Sequence, residues 1–199
     1  MAYIAFEGGE GSGKSTQARR LTARLDAVHT REPGGTELGD RLRSLLLDPG
    51  EAPVGARAET LLMAADRAQH IHQIVRPALA AGRHVVSDRS VYSSLAYQGG
   101  GRELGVDAVR QLNDWALDGC WPDLVVLLDL PLDAARGRLR RGLDRLEQEA
   151  ASFHERVRRT YLDLAAAEDR WVVIDASAPI DTVAEQVWSA VDAALSPAR

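Results

Sequence analysis

Cysteine occurs once in this sequence, at Cys120, which excludes an internal disulfide and any cysteine-based metal cluster. Its neighbours Leu117 and Trp121 mark it as a buried small hydrophobe rather than a reactive thiol. An excess of positive charge is also missing. The formal net charge is −5 over 199 residues, which argues against general binding to nucleic acid or a membrane surface, so any anion site must be built locally. No apolar run approaches about 18 residues, and the first residues show no basic-then-apolar leader. The expected compartment is therefore the cytoplasm. No internal repeat, low-complexity tract or linker is visible, and residues 1–199 read as a single domain.

What is present is an ordinary globular balance, 45% apolar and 27% charged, arranged as alternating apolar runs and helical patterns. Tyr3–Phe6, Ala27–Thr30, His84–Ser87, Leu124–Leu130 and Trp171–Ile174 are short, continuous in hydrophobicity and bounded by Gly, Pro or Asp, as strands are. Between them, Ser15–Asp26 places Ala18, Leu21 and Leu25 on one helical face, and Glu59–Ala80 does the same with Leu62, Ala65, Ile71 and Val75. Repeated strand–helix–strand units predict an α/β fold, a five-stranded parallel sheet with helices on both faces. Ligands in such sheets gather at the carboxyl ends of the strands.

One such end carries a strong motif. Gly8, Gly9, Glu10, Gly11, Ser12, Gly13, Lys14 and Ser15 match G-x-x-x-x-G-K-[ST] between the first strand and the first long helix, where Thr16 follows. Glycines let backbone N–H groups converge on phosphate oxygens, and the helix N-terminus adds its positive dipole end. Lys14, expected to face solvent in the absence of ligand, is predicted to reach the β- and γ-phosphates of ATP, and Ser15 to ligate Mg²⁺. This predicts a three-layer P-loop NTPase fold. The loop alone does not separate kinases from partitioning or switch ATPases.

A second group of residues bears on that choice. Asp88 ends the third strand and is a candidate for the metal's second sphere. Arg89 follows with a fork for another anion, which a kinase with a phosphorylated acceptor needs and a hydrolytic switch does not. Taken alone, the Asp88–Arg89 pair reads equally well as a surface ion pair.

Several runs together resemble bacterial thymidylate kinases from end to end. They are the phosphate loop with Glu10, Arg31–Glu32–Pro33–Gly34–Gly35–Thr36, Asp66–Arg67, and Asp88–Arg89 through Tyr97–Gln98–Gly99–Gly100–Gly101–Arg102. Asp144–Arg145–Leu146–Glu147 and Ile174–Asp175–Ala176 complete the set. The resemblance implies phosphorylation of dTMP to dTDP by ATP–Mg²⁺ and a homodimer. It places Glu32, Pro33, Met63, Arg67, Arg89, Ser94, Tyr97 and Gln98 around dTMP. Arg67 would face the thymine carbonyl edge and Ser94 the base, with Arg89 at the acceptor phosphate. Tyr97 would crowd the sugar 2′ position, the alternative being a core aromatic, and Glu10 would sit near the 3′-hydroxyl. Met63 departs from the family's stacking phenylalanine, which makes base contact less directional.

Eight arginines fall between Arg136 and Arg159: 136, 138, 140, 141, 145, 156, 158 and 159. Arg156–Arg159 reads as a solvated helical surface with i,i+4 pairs. Arg136–Arg141, with Gly137 inside it and Gly142 after it, reads as part of a mobile lid around 134–146. Relatives with an arginine in the phosphate loop carry it where this chain has Gly11, so the resemblance is to the type that supplies it from the lid. Arg138 and Arg140 are the candidates.

Overall fold

The structure, a computed structural model, describes residues 1–138 and 144–196, the side chain of Arg136 excepted. Five strands form one parallel sheet in the order β2-β3-β1-β4-β5: β1 Tyr3–Glu7, β2 Val28–Arg31, β3 Val85–Asp88, β4 Leu124–Asp129 and β5 Trp171–Asp175. All five agree with expectation to within about one residue at each end. Four run further than their apolar stretches, through Glu7, Arg31, Asp88 and Asp175. Backbone pairing is indifferent to side-chain polarity, so the ladder outlasts the hydrophobic signal.

Alternation across the sheet divides the core in two. Ile4, Phe6, Val86, Val126 and Leu128 pack toward α1 (Lys14–Leu25) and α9 (Ile180–Leu195). Tyr3, Val85, Val125 and Leu127 pack on the other face. There they meet α3 (Ala56–His70), α6 (Val106–Leu117) and α8 (Ala151–Ala167). α2 (Glu37–Leu47) lies against α3, and its N-cap Thr36 accepts from the Gly39 N–H.

The helix expected over Glu59–Ala80 begins earlier, at Ala56, and continues through a π turn, Ile71–Val75, into α4 (Arg76–Ala80). The wide turn precedes Pro77, which has no N–H to offer a regular ladder. Ile71 and Val75 are buried as expected, but Ala65 is exposed, and the inward face carries Glu59, Asp66, Arg67 and His70. That face serves a polar network rather than an apolar seam. After β3, the short α5 (Val91–Ser94) runs into a second π turn, Leu95–Gly101. α7 (Leu132–Arg136) follows β4.

Cys120 is half-buried rather than fully buried; it packs against the core, and its thiol pKa is pushed up by burial. Among the described residues, no helix is long and apolar enough to cross a membrane.

Candidate active site

β1 and β3 are neighbours with Phe6 opposite Asp88, so the loop after β1 and the segment after β3 leave the sheet side by side. This brings the two sequence motifs together. Gly8 cannot be another residue: its φ is +139°, and a Cβ there would lie 2.4 Å from the Leu128 carbonyl oxygen. Gly13 (φ +91°) turns the chain into α1, where the Thr16 and Gln17 N–H groups donate to its carbonyl at 3.1 and 3.0 Å.

Lys14 is the only lysine in the chain. Its Nζ donates to the Gly9 carbonyl at 2.7 Å. The expectation of a solvent-facing lysine is corrected: only 6% of the residue is exposed. Burial, then the Arg89 charge, push its ammonium pKa down, against the pull of Glu10, Asp88 and Glu7. The loop wraps the stem, so the charge is poised rather than solvated. The Ser15 hydroxyl donates to Asp88 Oδ2 at 2.5 Å.

Arg89 adopts a left-handed backbone (φ 73°), an unusual conformation for a side-chain-bearing residue. Its guanidinium pairs with the Glu10 carboxylate. It also donates to Tyr97 Oη at 3.1 Å, Ser93 Oγ at 3.2 Å and the Gly8 carbonyl at 3.3 Å. It is a partly buried hub rather than a surface ion pair. Burial raises the Glu10 carboxyl pKa, but Arg89 and Lys14 outweigh this and hold it well below the usual range.

Arg67 is among the largest fully buried side chains. It donates to Glu32 Oε2 at 2.9 Å, to Ser94 Oγ at 3.2 Å and to the Ser90 carbonyl at 3.3 Å, and it also bonds Asn113. His70 meets the other Glu32 oxygen at 2.8 Å.

A cleft of about 770 Å³ joins these pieces. Glu10, Gly11, Gly13, Lys14, Ser15, Thr16, Asp88 and Arg89 line one part. Glu32, Pro33, Met63, Arg67, Ser94, Tyr97 and Gln98 line another, so every residue expected at the acceptor is there. Gly8 and Gly9 instead border a second cavity of about 260 Å³ beside α8, and Ser12 is buried. Tyr97 is both buried and cleft-lining, while the Gln98 amide is committed to Glu59 Oε1 at 2.9 Å.

Of the lid candidates, Arg138 lines the cleft and donates to the carbonyls of Ala176 (2.9 Å) and Ser177 (3.5 Å). Arg140 and Arg141 lie outside the described residues, as does the Arg136 side chain. Arg145 is tied to Glu59 at 2.9 Å and to the Leu46 carbonyl at 2.7 Å. The solvated reading of Arg156–Arg159 holds for Arg159, which faces Asp163 at 4.0 Å across one turn. Arg158 departs from it, making a two-pronged pair with Asp129 at 2.7 Å.

Two carboxylates escaped the sequence reading. Glu7, fully buried, accepts from the Ser90 N–H and from the hydroxyls of Ser90, Ser93 and Tyr161, all within 2.6–2.8 Å. It thereby shapes the turn that presents Arg89. Its pKa is raised by burial, only partly offset by Arg89 and these hydroxyls. Glu59 gathers Arg102, Arg145 and Gln98. A charged residue closing an apolar strand was the one available signal for Glu7.

A family model described as thymidylate kinase matches residues 6–187. A thymidylate kinase from Halothermothrix orenii is 46% identical over 97% of this chain and 97% of that protein. One from Bifidobacterium longum subsp. infantis is 49% identical over 96% of this chain and 84% of its own length. The crystal structure of thymidylate kinase from Ehrlichia chaffeensis superposes with a TM-score of 0.78 at 30% identity. It covers 96% of this chain and 98% of that one.

Proposed function

This chain belongs to the thymidylate kinase family, and from that premise and the cleft's geometry we propose that it transfers the γ-phosphoryl group of ATP to dTMP, giving ADP and dTDP. The observation that carries the reading is a single cleft lined by the phosphate loop and by two arginines, Arg89 beside the loop and Arg67 further along.

The acceptor phosphate loses its second proton near pH 6, so it is already a nucleophilic anion at neutral pH and needs no general base. The task is to bring two polyanions together and to meet the charge that builds during transfer. Lys14 follows the transferring group, released from Gly9 toward phosphate oxygens. Arg89 holds the acceptor phosphate, exchanging its Glu10 partner for it and leaving Glu10 to the sugar 3′-hydroxyl. Arg67, already oriented by Glu32 and Asn113, presents its remaining edge to the base beside Ser94, with Met63 covering the ring. Tyr97 stands against the sugar.

A hydroxyl and a carboxylate 2.5 Å apart, Ser15 and Asp88, form the hard-oxygen set that suits Mg²⁺, which keeps waters and takes its remaining ligands from substrate phosphates. Ser15 would bind directly and Asp88 through its hydrogen bonds, supplying charge neutralisation on the ATP phosphates.

A homodimer also belongs to this reading. Leu38 and Leu45 on α2, Leu61 on α3 and Trp115 on α6 (83% exposed) are large apolar side chains left facing outward on helices that pack side by side. Light scattering of Leu61→Glu and Trp115→Glu variants should show monomer where the wild type shows dimer.

The test of function is ADP release from ATP with and without dTMP. Release that depends on dTMP supports the reading. Equal release without it would mark a P-loop ATPase instead.

A further inference from the structure

Asp66 precedes Arg67 on α3 and does not line the cleft. It is nonetheless 1% exposed and bonded toward the cleft wall: Oδ1 accepts the Gly34 N–H at 2.9 Å. Its other oxygen, Oδ2, is buried without a hydrogen-bond partner among the described residues. Two residues earlier along the same wall, Glu32 is held from α3 by Arg67 and His70. The helix therefore grips the Glu32–Gly34 segment twice, once on each side of Pro33. Room for adjustment is small, since a Cβ on Gly39 of α2 would stand 2.5 Å from Asp66 Oδ1. Glu32, Pro33 and Gly35 line the cleft, so a shift of this segment would move its wall.

We propose that Asp66 is a positioning residue for the acceptor nucleotide: through Gly34 it fixes the cleft wall from Glu32 to Gly35 without touching the acceptor. The inference rests on the acceptor reading of this part of the cleft. The charged groups facing Asp66 are Glu32, Arg67 and His70. Burial, then the Glu32 charge, raise its carboxyl to about 7, against the Gly34 N–H, Arg67 and His70. Above that pH a second carboxylate stands near Glu32 with one oxygen unpartnered. The Gly34 N–H itself favours the ionised form, but the like-charge repulsion from Glu32 acts across the segment that both carboxylates hold and shifts the wall between them. Acceptor binding should weaken as pH rises, while the transfer step itself is spared.

The test compares wild type, Asp66→Asn and Asp66→Ala between about pH 6 and pH 8.5, a window bracketing a carboxyl titrating near neutrality. The readouts are kcat, KM for ATP, and KM and calorimetric Kd for dTMP. Asparagine offers Gly34 the same acceptor and never ionises, so Asp66→Asn should match wild type at the acid end. The wild-type KM for dTMP should then rise about threefold or more above that of Asp66→Asn at the alkaline end, with kcat and KM for ATP moving less than about twofold. The ratio of wild type to Asp66→Asn cancels the acceptor phosphate's own ionisation. Asp66→Ala should show a raised KM for dTMP at every pH.

Parallel wild-type and Asp66→Asn profiles, or an Asp66→Ala enzyme with normal dTMP affinity, would overturn the proposal. If Asp66→Ala does not fold, the ratio decides alone. A wild type that neither binds nor phosphorylates dTMP would sink the reading of the function instead. Melting without substrate then isolates the titration. A native carboxyl raised above its unfolded value binds extra protons between the two. Wild-type stability should therefore fall relative to Asp66→Asn as pH rises from about 4 to 7, and level off above. A constant difference would remove the titration.

Discussion

Arg67 Nε donates to Glu32 Oε2 at 2.9 Å, with both side chains only 2% exposed. A pair this deeply buried contributes little net stability over an apolar replacement, yet removing one partner leaves the other charged in a low-dielectric site, at a cost of about 3–5 kcal/mol. Glu32→Ala should therefore lose roughly that much in denaturant unfolding, and Glu32→Gln less, because an amide oxygen still faces Arg67. Burial raises the Glu32 pKa, but Arg67 and His70 outweigh it and leave the carboxyl lowered. The stabilisation is thus present above the unfolded value near pH 4.3 and lost as pH falls through the native one. The stability gap between wild type and Glu32→Gln should narrow as the pH is lowered from about 5 to 3. A gap that is flat or widens would contradict the ion pair.

What was readable in advance was local in sequence. Gly8 to Ser15 is one contiguous run whose backbone requirements are written in its glycines, and strand and helix periods carried the sheet. Met63, Arg67, Arg89, Ser94 and Tyr97 came from resemblance and meet in one cleft. Hidden were features set by distant partners: Glu7 draws on Ser90 and on Tyr161, 154 positions away, and Arg67 on Asn113, 46 away. The burial of Lys14 was misjudged because a lysine's exposure depends on how tightly the loop folds over its stem, which residue type does not disclose.

That burial sharpens the expectation for Lys14. Replacement by methionine keeps the apolar stem and removes a desolvated charge. Lys14→Met should melt no lower than wild type, while kcat falls at least about a hundredfold for want of a charge on the transferring phosphoryl group. Because no other lysine exists, reductive methylation mapped by mass spectrometry should label Lys14 and the N-terminus alone, with ATP protecting Lys14. Near-normal turnover of Lys14→Met would remove it from the catalytic machinery.

Base and sugar selection should be unequal in strength. Sensing the thymine methyl is worth only about 1–3 kcal/mol, so dUMP should be a poorer but usable acceptor. Met63 in place of an aromatic surface pushes the same way. UMP should be rejected more strongly, because Tyr97 is fixed by its 3.1 Å bond from Arg89 and cannot readily yield to a 2′-hydroxyl. Tyr97→Phe keeps the ring and loses that tether, so its preference for dUMP over UMP should diminish. Equal use of dUMP and UMP by wild type would take Tyr97 out of the sugar-reading role.

The source of positive charge during transfer gives the last test. An arginine aimed at the reacting phosphates can be worth about 10³–10⁵ in rate. The phosphate loop carries none. At Gly11 φ is +73°, and a Cβ would stand 3.0 Å from the Ala135 carbonyl of α7, so a side chain there meets both a disfavoured backbone and a near neighbour. The remaining dense source is Arg136, Arg138, Arg140 and Arg141. Arg138 reaches the carbonyls of Ala176 and Ser177 beside the cleft, where its bonds are to neutral acceptors that a phosphate would outcompete. Single alanine variants at all four positions, assayed at saturating ATP, should include at least one, Arg138 or Arg140 foremost, whose kcat falls far more than its KM for dTMP rises. Installing Gly11→Arg in that variant should not restore the rate, because the approach of Ala135 denies the new side chain its place. If no single variant loses more than about threefold in kcat, the transition-state charge is met elsewhere and this segment is not a catalytic lid.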